Sequence, residues 1–300
     1  MKSVLRLETP AAVADHVRDS SPAVLDVRDE RAFAAGHLAG SGHVETASIR
    51  SRAHELPHPR TSPLLVVASD PAAIETAARA LAEEGFTDVA AATYADARDA
   101  GLPIEEGSRA ARLWRPQRIV EEAAPFLRPL RPGPVLDVAC GNGRNAVFLA
   151  LEGFDVVACD VLESALERTR ALARGSGTTV GTWLVDLERT PRPLPVSAYA
   201  AVAVLNYLHR PLVPDLRAAV RPGGIVVYET FTVDQPRLFG KPRRPRFLLG
   251  KGELETAFEG FEILLSREGI DAPGRAVASL VARRPACLAE GLPPGAGGSP

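Results

Sequence analysis

The sequence predicts an α/β protein of two domains, each built on a mostly parallel sheet. The chain has 300 residues, and a domain typically holds about 100–200. Short runs rich in valine, leucine and isoleucine alternate with segments of helical spacing in both halves. Residues 1–107 carry 10 basic and 17 acidic side chains, and the remainder carries 25 and 20, which indicates two units with different surfaces.

The first domain is expected to span residues 1–107. Strands are predicted at residues 24–27, 64–68 and 88–92. Apolar side chains recur at helical spacing from Pro71 to Glu84, and Gly85 stands where that helix should end. From Gly101 onwards the pattern decays into a loop, and we place the domain boundary near residue 107.

The second domain is expected to span residues 108–284 and to alternate again between helices and strands. Helices are predicted at residues 118–127, 144–152 and 162–173, and strands at 134–138, 154–159, 182–185, 200–205 and 225–228. Residues 285–300 are rich in glycine and proline and are expected to form a disordered tail.

Composition argues against several classes of protein. Eighteen consecutive apolar residues do not occur, and the first residues lack a signal-peptide core, so we expect a cytoplasmic protein without a membrane partner. A net charge of −2 argues against a nucleic-acid partner. Three cysteines, Cys140, Cys159 and Cys287, are too few and too scattered for a disulfide framework or a metal site, and the first two are interpreted as packing residues.

The most informative stretch is Val135-Leu-Asp-Val-Ala-Cys-Gly-Asn-Gly-Arg-Asn-Ala146, a strand that leads through two glycines into a helix. Glycines there allow a sharp turn and let a ligand approach main-chain N–H groups. Asp160 ends the next predicted strand, where a carboxylate can accept hydrogen bonds from ribose hydroxyls. A tight strand–helix turn without a ligand is the alternative.

Two ligand classes fit this loop. Gly141 to Ala146 satisfies the G-x-G-x-x-A form of the dinucleotide fingerprint, which favours an NAD-dependent oxidoreductase. Asp137 would repel a diphosphate, however, and would attract the ammonium and sulfonium of S-adenosylmethionine. Asp186, at the end of the following strand, is placed for an adenine amino group or for capping the next turn. The charges therefore favour the methyl donor.

These residues resemble a class I S-adenosylmethionine-dependent methyltransferase, a Rossmann-like fold. Within that class, residues 111–284 resemble the tellurite-resistance methyltransferases. The resemblance rests on Asp137 to Ala146, on Gly153-Phe-Asp-Val-Val-Ala-Cys-Asp160, on Arg221-Pro-Gly-Gly224 and on the C-terminal stretch from Gly252 to Arg284. This chain departs from the family in its Asn206-Tyr-Leu-His-Arg-Pro211, which bears on the acceptor rather than on the cofactor.

The resemblance implies a cofactor site at the strand ends and an acceptor site beside it. Cofactor-binding residues are then Asp137, Ala139, Cys140, Gly141, Asn142, Gly143, Asn145, Asp160, Val161, Asp186, Leu187, Leu205 and Asn206. Candidate substrate-binding residues are Tyr207, Tyr228, Glu229, Arg243, Arg244 and Arg246.

Methyl transfer from a sulfonium is an in-line displacement that depends on holding the acceptor close in a dry site. A general base is needed only when the acceptor must lose a proton, and His209 is the candidate. A hydrogen-bonded loop histidine is the alternative there. The arginines from Arg237 to Arg246 are either a lid that attracts an anionic acceptor or a solvated loop.

The first domain resembles the rhodanese-like family over residues 8–105. Leu25-Asp-Val-Arg28 and Gly36-His-Leu38 carry that resemblance. A functional rhodanese has a cysteine directly after the strand at residues 64–68, where this chain has Ser69-Asp-Pro71. Because residues 1–139 contain no cysteine, we expect an inactive module for regulation, for a protein partner, or for a wall of the other site.

The function predicted from these patterns is S-adenosylmethionine-dependent methyl transfer to a small molecule: a thiol, a chalcogen oxyanion or another soft nucleophile. One alternative is a non-enzymatic binding or regulatory protein that uses an adenosyl ligand or the rhodanese-like surface. An NAD-dependent oxidoreductase is disfavoured by Asp137 and Asp186.

Overall fold

The computed structural model describes residues 4–286, and it divides the chain into two compact units after Arg115. The sequence pattern predicts this boundary near residue 107. The intervening segment contacts the first unit, because the Ala111 N–H donates to Ser41 O at 2.8 Å and the Leu113 side chain packs over Gly42. The predicted tail at residues 285–300, with Cys287, lies almost wholly outside the described residues.

The first unit contains a parallel sheet of order β1-β6-β5-β2-β4 and a small antiparallel pair, β3-β7. Its strands are β1 (Leu5–Arg6), β2 (Ala23–Asp26), β3 (His37–Leu38), β4 (Gly42–His43), β5 (Leu64–Ala68), β6 (Val89–Thr93) and β7 (Ile104–Glu105). Its α-helices are α1 (Pro10–Ser20), α2 (Glu30–Ala35), α3 (Pro71–Glu83) and α4 (Tyr94–Asp99), with 3₁₀ turns at Thr46–Ser48 and Ala53–Glu55.

Side-chain caps fix where these helices begin. Thr9 accepts from the Ala12 N–H at the start of α1, and Asp70 accepts from the Ala73 N–H at the start of α3. Each satisfies a backbone donor that the first helical turn leaves without an internal partner. A central strand such as β5 is buried along its whole length, as expected of a sheet covered on both faces.

The second unit contains a seven-stranded sheet of order β10-β9-β8-β11-β12-β14-β13. Its strands are β8 (Pro134–Val138), β9 (Asp155–Asp160), β10 (Gly181–Leu184), β11 (Tyr199–Leu205), β12 (Val220–Phe231), β13 (Glu262–Ile270) and β14 (Ala276–Arg283). Its α-helices are α5 (Arg118–Leu127), α6 (Arg144–Leu151), α7 (Glu163–Gly175), α8 (Val213–Ala219), α9 (Gln235–Phe239) and α10 (Glu253–Ala257), with 3₁₀ turns at Arg128–Leu130, Arg210–Leu212 and Pro245–Phe247.

The strands from β10 to β12 are parallel, and β14 is antiparallel to both of its neighbours. Two apolar clusters cover the faces of this sheet: one holds Leu136, Val202 and Tyr228, and the other holds Val135, Ala203 and Val227. Alternate residues of the same strands therefore fill opposite cores, which explains why these strands are apolar along most of their length. The predicted α/β class is confirmed.

Within residues 4–286, no helix is both long enough and apolar enough to cross a membrane.

Candidate cofactor-binding site

A cleft of about 320 Å³ opens at the carboxyl edge of the second unit's parallel sheet. Val138 at the end of β8 pairs with Cys159 of β9, and Asp160 at the end of β9 pairs with Leu184 at the end of β10. The three strands therefore end side by side. Open α/β sheets bind ligands at this edge. The residues that line the cleft are Ala139, Asp160, Val161, Val185, Asp186, Leu187, Glu188, Arg189 and Tyr207.

The loop after β8 owes its shape to residues with positive φ. Ala139, Gly141 and Gly143 have φ of 52°, 57° and 73°. A Cβ built on Gly141 would meet nothing within 4 Å, whereas one on Gly143 would lie 2.7 Å from the Thr169 Cβ on α7. Gly141 therefore leaves open space beside the loop, and Gly143 allows close packing of the loop against α7.

Asp160 holds this loop in place through both carboxylate oxygens. Oδ2 accepts from the Gly141 N–H at 3.0 Å, and Oδ1 accepts from the Leu162 N–H at 2.9 Å. A carboxylate has about four acceptor positions, so each oxygen retains capacity for a ligand hydroxyl. The side chain both shapes the loop and faces the cleft.

Asp137 lies behind the same loop and is 1% exposed. Its Oδ2 accepts from the Ala146 N–H at 3.1 Å, which caps the first turn of α6. Burial raises the pKa of this carboxyl to about 7, the hydrogen bond opposes that shift, and the charge of Asp160 adds to it. A cation nearby would restore the ionised form.

Asp186 shows the turn-capping arrangement, since its Oδ1 accepts from the Glu188 N–H at 3.0 Å. The same side chain lines the cleft, so capping and ligand contact are compatible. Glu188 and Arg189 also line the cleft and were missed by the sequence analysis. Glu188 and Arg189 follow Asp186 by two and three residues, and this proximity in the sequence could have indicated that they line the same cleft.

Tyr207 forms part of the cleft wall, and a hydrogen bond from a buried side chain fixes its main chain. The Tyr228 hydroxyl donates to the Tyr207 carbonyl at 3.0 Å. Burial, with the nearby charges of Glu188 and Asp186, raises the pKa of the Tyr207 phenol well above its usual range. Its hydroxyl therefore stays protonated and can donate a hydrogen bond.

A buried ionic network supports the end of β11. Arg275 pairs with Glu229 at 2.9 Å and with Asp271, and its Nη1 donates to the Asn206 Oδ1 at 3.4 Å. Ser279 donates to the other Glu229 oxygen at 2.7 Å. Asn206 has φ of 56°, in the left-handed region that asparagine tolerates, and this network contacts the turn next to Tyr207.

Tyr228 and Glu229, predicted as substrate-binding residues, lie in the interior of the second unit. Each is 1% exposed, and each is bonded within the fold, as described above. Strand β12, which carries both residues, is buried on both faces. The two side chains therefore lie behind the cleft wall and do not form part of its surface.

Several other predicted cofactor residues have partners inside the unit. The Asn145 Oδ1 accepts from the Gln117 N–H at 2.9 Å, which ties α6 to the start of α5. The Asn142 Oδ1 accepts from the Arg168 Nε at 2.7 Å. Leu205 is buried, and His209 is half-buried and outside the cleft lining.

Cys140 and Cys159 are both buried, as expected of packing residues. Burial raises the pKa of the Cys159 thiol to about 12 and that of Cys140 further still. Thiols held neutral in this way are poor nucleophiles.

Arg243, Arg244 and Arg246 are exposed on the segment that follows α9. Arg243 donates to the Gly240 carbonyl, and the Arg246 guanidinium lies 4.6 Å from the Phe247 ring centre. None of the three lines the cleft.

In the first unit, the residues that carry the rhodanese resemblance are bonded to one another. Arg28 pairs with Asp26 at 2.7 Å, donates to the Gly36 carbonyl at 2.7 Å, and lies 3.5 Å from the Tyr94 ring centre. His37 is buried and stacks on Phe33. The charged pair therefore joins β2 to the turn after α2.

The position after β5 is occupied by Ser69, and α3 begins at once. Asp70 caps that helix and Pro71 is its first residue. This short connection places a carboxylate where an anionic sulfur would need positive charge.

Comparison with known proteins agrees with this division into units. Residues 9–92 match the rhodanese-like domain family, and residues 135–224 match a methyltransferase domain family. The thiosulfate sulfurtransferase GlpE of Pseudomonas fluorescens (strain SBW25) is 33% identical over 82 residues, which cover 27% of this chain and 72% of that protein.

Two other relatives each match about half of the chain. A probable S-adenosyl-L-methionine-dependent methyltransferase, TehB of Haemophilus influenzae (strain ATCC 51907 / DSM 11121 / KW20 / Rd), is 26% identical over 157 residues, covering 50% of this chain and 52% of the relative. Hemagglutinin 1 of Eikenella corrodens is 27% identical over 176 residues, covering 53% and 57%. The chain thus spans little more than half the length of these two relatives. The crystal structure of TehB from Haemophilus influenzae matches with a TM-score of 0.44 at 22% identity, over 55% of this chain and 61% of that one.

Fold and cleft together define an α/β protein with a glycine loop and an acidic strand end at the carboxyl edge of its parallel strands. The chain contains a member of the rhodanese-like family, and residues 135–224 match a methyltransferase domain family; both predicted resemblances are confirmed.

Proposed function

We propose that this chain transfers a methyl group from S-adenosylmethionine to a small-molecule acceptor at the cleft of the second unit. The observation that carries the proposal is Asp160, whose carboxylate fixes the Gly141 N–H and retains acceptor capacity at the cleft wall. That arrangement suits the two hydroxyls of a ribose.

The cleft residues fit an adenosyl ligand in shape and charge. Val161, Val185 and Leu187 offer apolar surface for adenine, and Asp186 offers an acceptor for its amino group. Asp137 is a buried carboxylate without a paired cation among its described contacts. An ammonium group at the loop would balance its negative charge. A diphosphate at the same place would meet two carboxylates and be repelled.

S-adenosylmethionine, when bound, supplies a methyl carbon attached to a sulfonium. The residues of this chain bind and orient the reactants, and the apolar wall excludes water. Tyr207 remains protonated and can donate a hydrogen bond to an acceptor atom. His209 is the candidate to take a proton from an acceptor that must lose one.

The acceptor we propose is a thiol, a chalcogen oxyanion or another soft nucleophile. Such atoms need little or no deprotonation, which suits a cleft wall that contains Tyr207 but not His209. The first unit is proposed to act as a non-catalytic module, because Ser69 cannot form a persulfide and Asp70 opposes an anionic sulfur.

Methyl transfer can be tested directly with radiolabelled S-adenosylmethionine and a panel of thiols and selenium or tellurium oxyanions. The proposal expects label in at least one acceptor, and it expects loss of that product in the Asp160→Ala variant. Cofactor binding without turnover, on this panel and on added hydroxyl and amine acceptors, would instead favour the alternative of a non-enzymatic binding protein.

A further inference from the structure

A cluster of cations on the second unit is not used by the proposed function. We define the basic segment as residues 237–246, which run from α9 into the next 3₁₀ turn. Its exposed cationic side chains are those of Arg237, Lys241, Arg243, Arg244 and Arg246. Arg237 pairs with Asp234 at 3.2 Å, and within residues 4–286 the other four form no salt bridge.

Apolar side chains are exposed within the same segment. Leu238 and Phe239 are 42% and 44% exposed, and nearby Val233 is 55% exposed. Exposed apolar groups interspersed with cations are typical of surfaces that lie on a membrane interface.

The backbone of the segment is held in place by buried and ion-paired side chains. Gln235 is 5% exposed; it donates to the Lys241 carbonyl at 2.7 Å and accepts from the Ala276 N–H at 2.7 Å. Arg210, paired with Glu253, donates to the carbonyls of Arg246 and Leu248. The segment therefore presents its cations from a fixed backbone, which lowers the entropy cost of binding.

The segment emerges from the carboxyl edge of the sheet. β12 is parallel to β11 and ends at Phe231, a few residues before the segment begins. The cofactor cleft lies at the carboxyl edge of the same sheet. A surface docked there would face the edge at which the cleft opens.

We propose that the basic segment binds the anionic surface of a phospholipid bilayer. The cations attract acidic head groups, and Leu238 and Phe239 insert between them. Nucleic acid is disfavoured because Phe239 is the one aromatic residue of the segment, and stacking of successive bases needs several. The prediction of no membrane partner rests on the lack of a spanning apolar run in the sequence, and peripheral binding requires no such run.

The test is flotation of the full chain with vesicles of phosphatidylcholine that contain about one-third phosphatidylglycerol, and with vesicles of phosphatidylcholine alone. We expect binding to the anionic vesicles only, weakening as salt rises from about 0.05 to about 0.5 M. Each basic residue near such a surface contributes about fivefold, so Arg243→Gln with Arg244→Gln should weaken binding about 30-fold.

A matched control removes the same charge elsewhere on the unit. Arg174→Gln with Arg192→Gln alters two exposed arginines outside the segment and should change binding less than about twofold. The double variant Leu238→Ser with Phe239→Ser lacks the inserting apolar side chains. It should therefore lose the residual vesicle binding that the parent chain retains at high salt.

Three results would overturn the proposal. They are equal binding to both kinds of vesicle, equal loss in the segment variant and its control, and an oligonucleotide that binds the segment more tightly and displaces the vesicles. None of these measurements depends on methyl transfer, so the result stands whether or not the proposed activity is found.

Discussion

At the scale of single residues, Asp137 and Asp160 have different environments although their strands are neighbours. Asp160 is half-buried at the cleft and accepts two backbone N–H bonds. Asp137 is fully buried and caps α6, and burial raises its pKa to about 7. Asp160 is therefore open to ligand, and Asp137 is poised to change charge when a cation arrives.

Replacing Asp160 should weaken binding of the adenosyl ligand. The Asp160→Ala variant loses one or two ribose hydrogen bonds to a charged group, with an expected cost of about 1.5–3 kcal/mol. Calorimetric titration with S-adenosylhomocysteine measures it, and Asp155→Ala at the exposed start of the same strand is the control. Unchanged affinity in Asp160→Ala would remove this residue from the site.

Affinity for S-adenosylhomocysteine should depend on pH through Asp137. The ligand's ammonium favours the ionised carboxylate, so with a free pKa of about 7 binding should weaken about tenfold from pH 8 to pH 6. Titration across that range measures it. Asp137→Asn should bind more weakly with a flatter profile, and an equally steep profile in that variant would assign the effect to another group.

Asp137 should also lower the stability of the ligand-free protein at neutral pH. Its folded pKa lies above the ordinary value, so the folded state gives up the proton later, and stability falls as pH rises from about 4 to about 7. Asp137→Asn keeps an acceptor for the Ala146 N–H without the buried charge. Urea unfolding at pH 8 should show a variant at least as stable as the parent, and a clear loss would mean that the charge stabilises the fold.

At the scale of elements, the two loop glycines should respond differently to alanine. Gly143→Ala would push against Thr169 at positive φ, so we expect about 1–3 kcal/mol of destabilisation. Gly141→Ala meets open space and should cost about 1 kcal/mol, yet it should weaken ligand binding because the added methyl occupies the open space beside the loop. Unfolding and titration of the pair separate the two roles; identical behaviour would contradict them.

The connection between β5 and α3 should not support sulfur transfer even with a cysteine. In Ser69→Cys the thiol would precede the Asp70 cap directly, and that carboxylate disfavours a thiolate and a persulfide. Thiosulfate turnover should stay at background. Robust turnover would show that the loop retains a persulfide cradle.

Most helices and strands could be predicted from the local pattern of apolar and polar residues. β5 and β8 and helix α5 have the predicted bounds, because each is an apolar run or an apolar face closed by proline, glycine or a charged turn. β13 and β14 were not predicted as strands from their residues. β13 is an edge strand with a mostly exposed pattern, so its sequence lacks the apolar signal of the central strands.

The candidate site could be predicted where its residues belong to one strand end, but not where residues far apart in the sequence contact each other. Asp160, Asp186 and Leu187, which were predicted as cofactor-binding residues, lie together in the cleft lining, since strand ends in a parallel sheet meet at one edge. The pairing of Glu229 with Arg275 joins β12 to the loop before β14 across 46 residues, and no local spacing indicates it. Burial of Tyr228 likewise depends on packing against Phe258.

At the scale of the whole molecule, two units with opposite charge balance share one chain. The first unit keeps the rhodanese-like charged pair as a buried structural contact, and the proposal makes it a non-catalytic module. The second unit carries the cleft and the basic segment at one sheet edge. The account therefore places the chemistry in the second unit alone.

The central claim, an adenosyl ligand at the cleft of the second unit, is tested most directly by calorimetric titration of the full chain with S-adenosylhomocysteine and, separately, with NADH. We expect micromolar binding of S-adenosylhomocysteine, weakened by about 1.5–3 kcal/mol in Asp160→Ala, and no binding of NADH. Binding of NADH alone would contradict the charge argument from Asp137 and Asp160. Binding of neither would leave the glycine loop as a structural turn between β8 and α6.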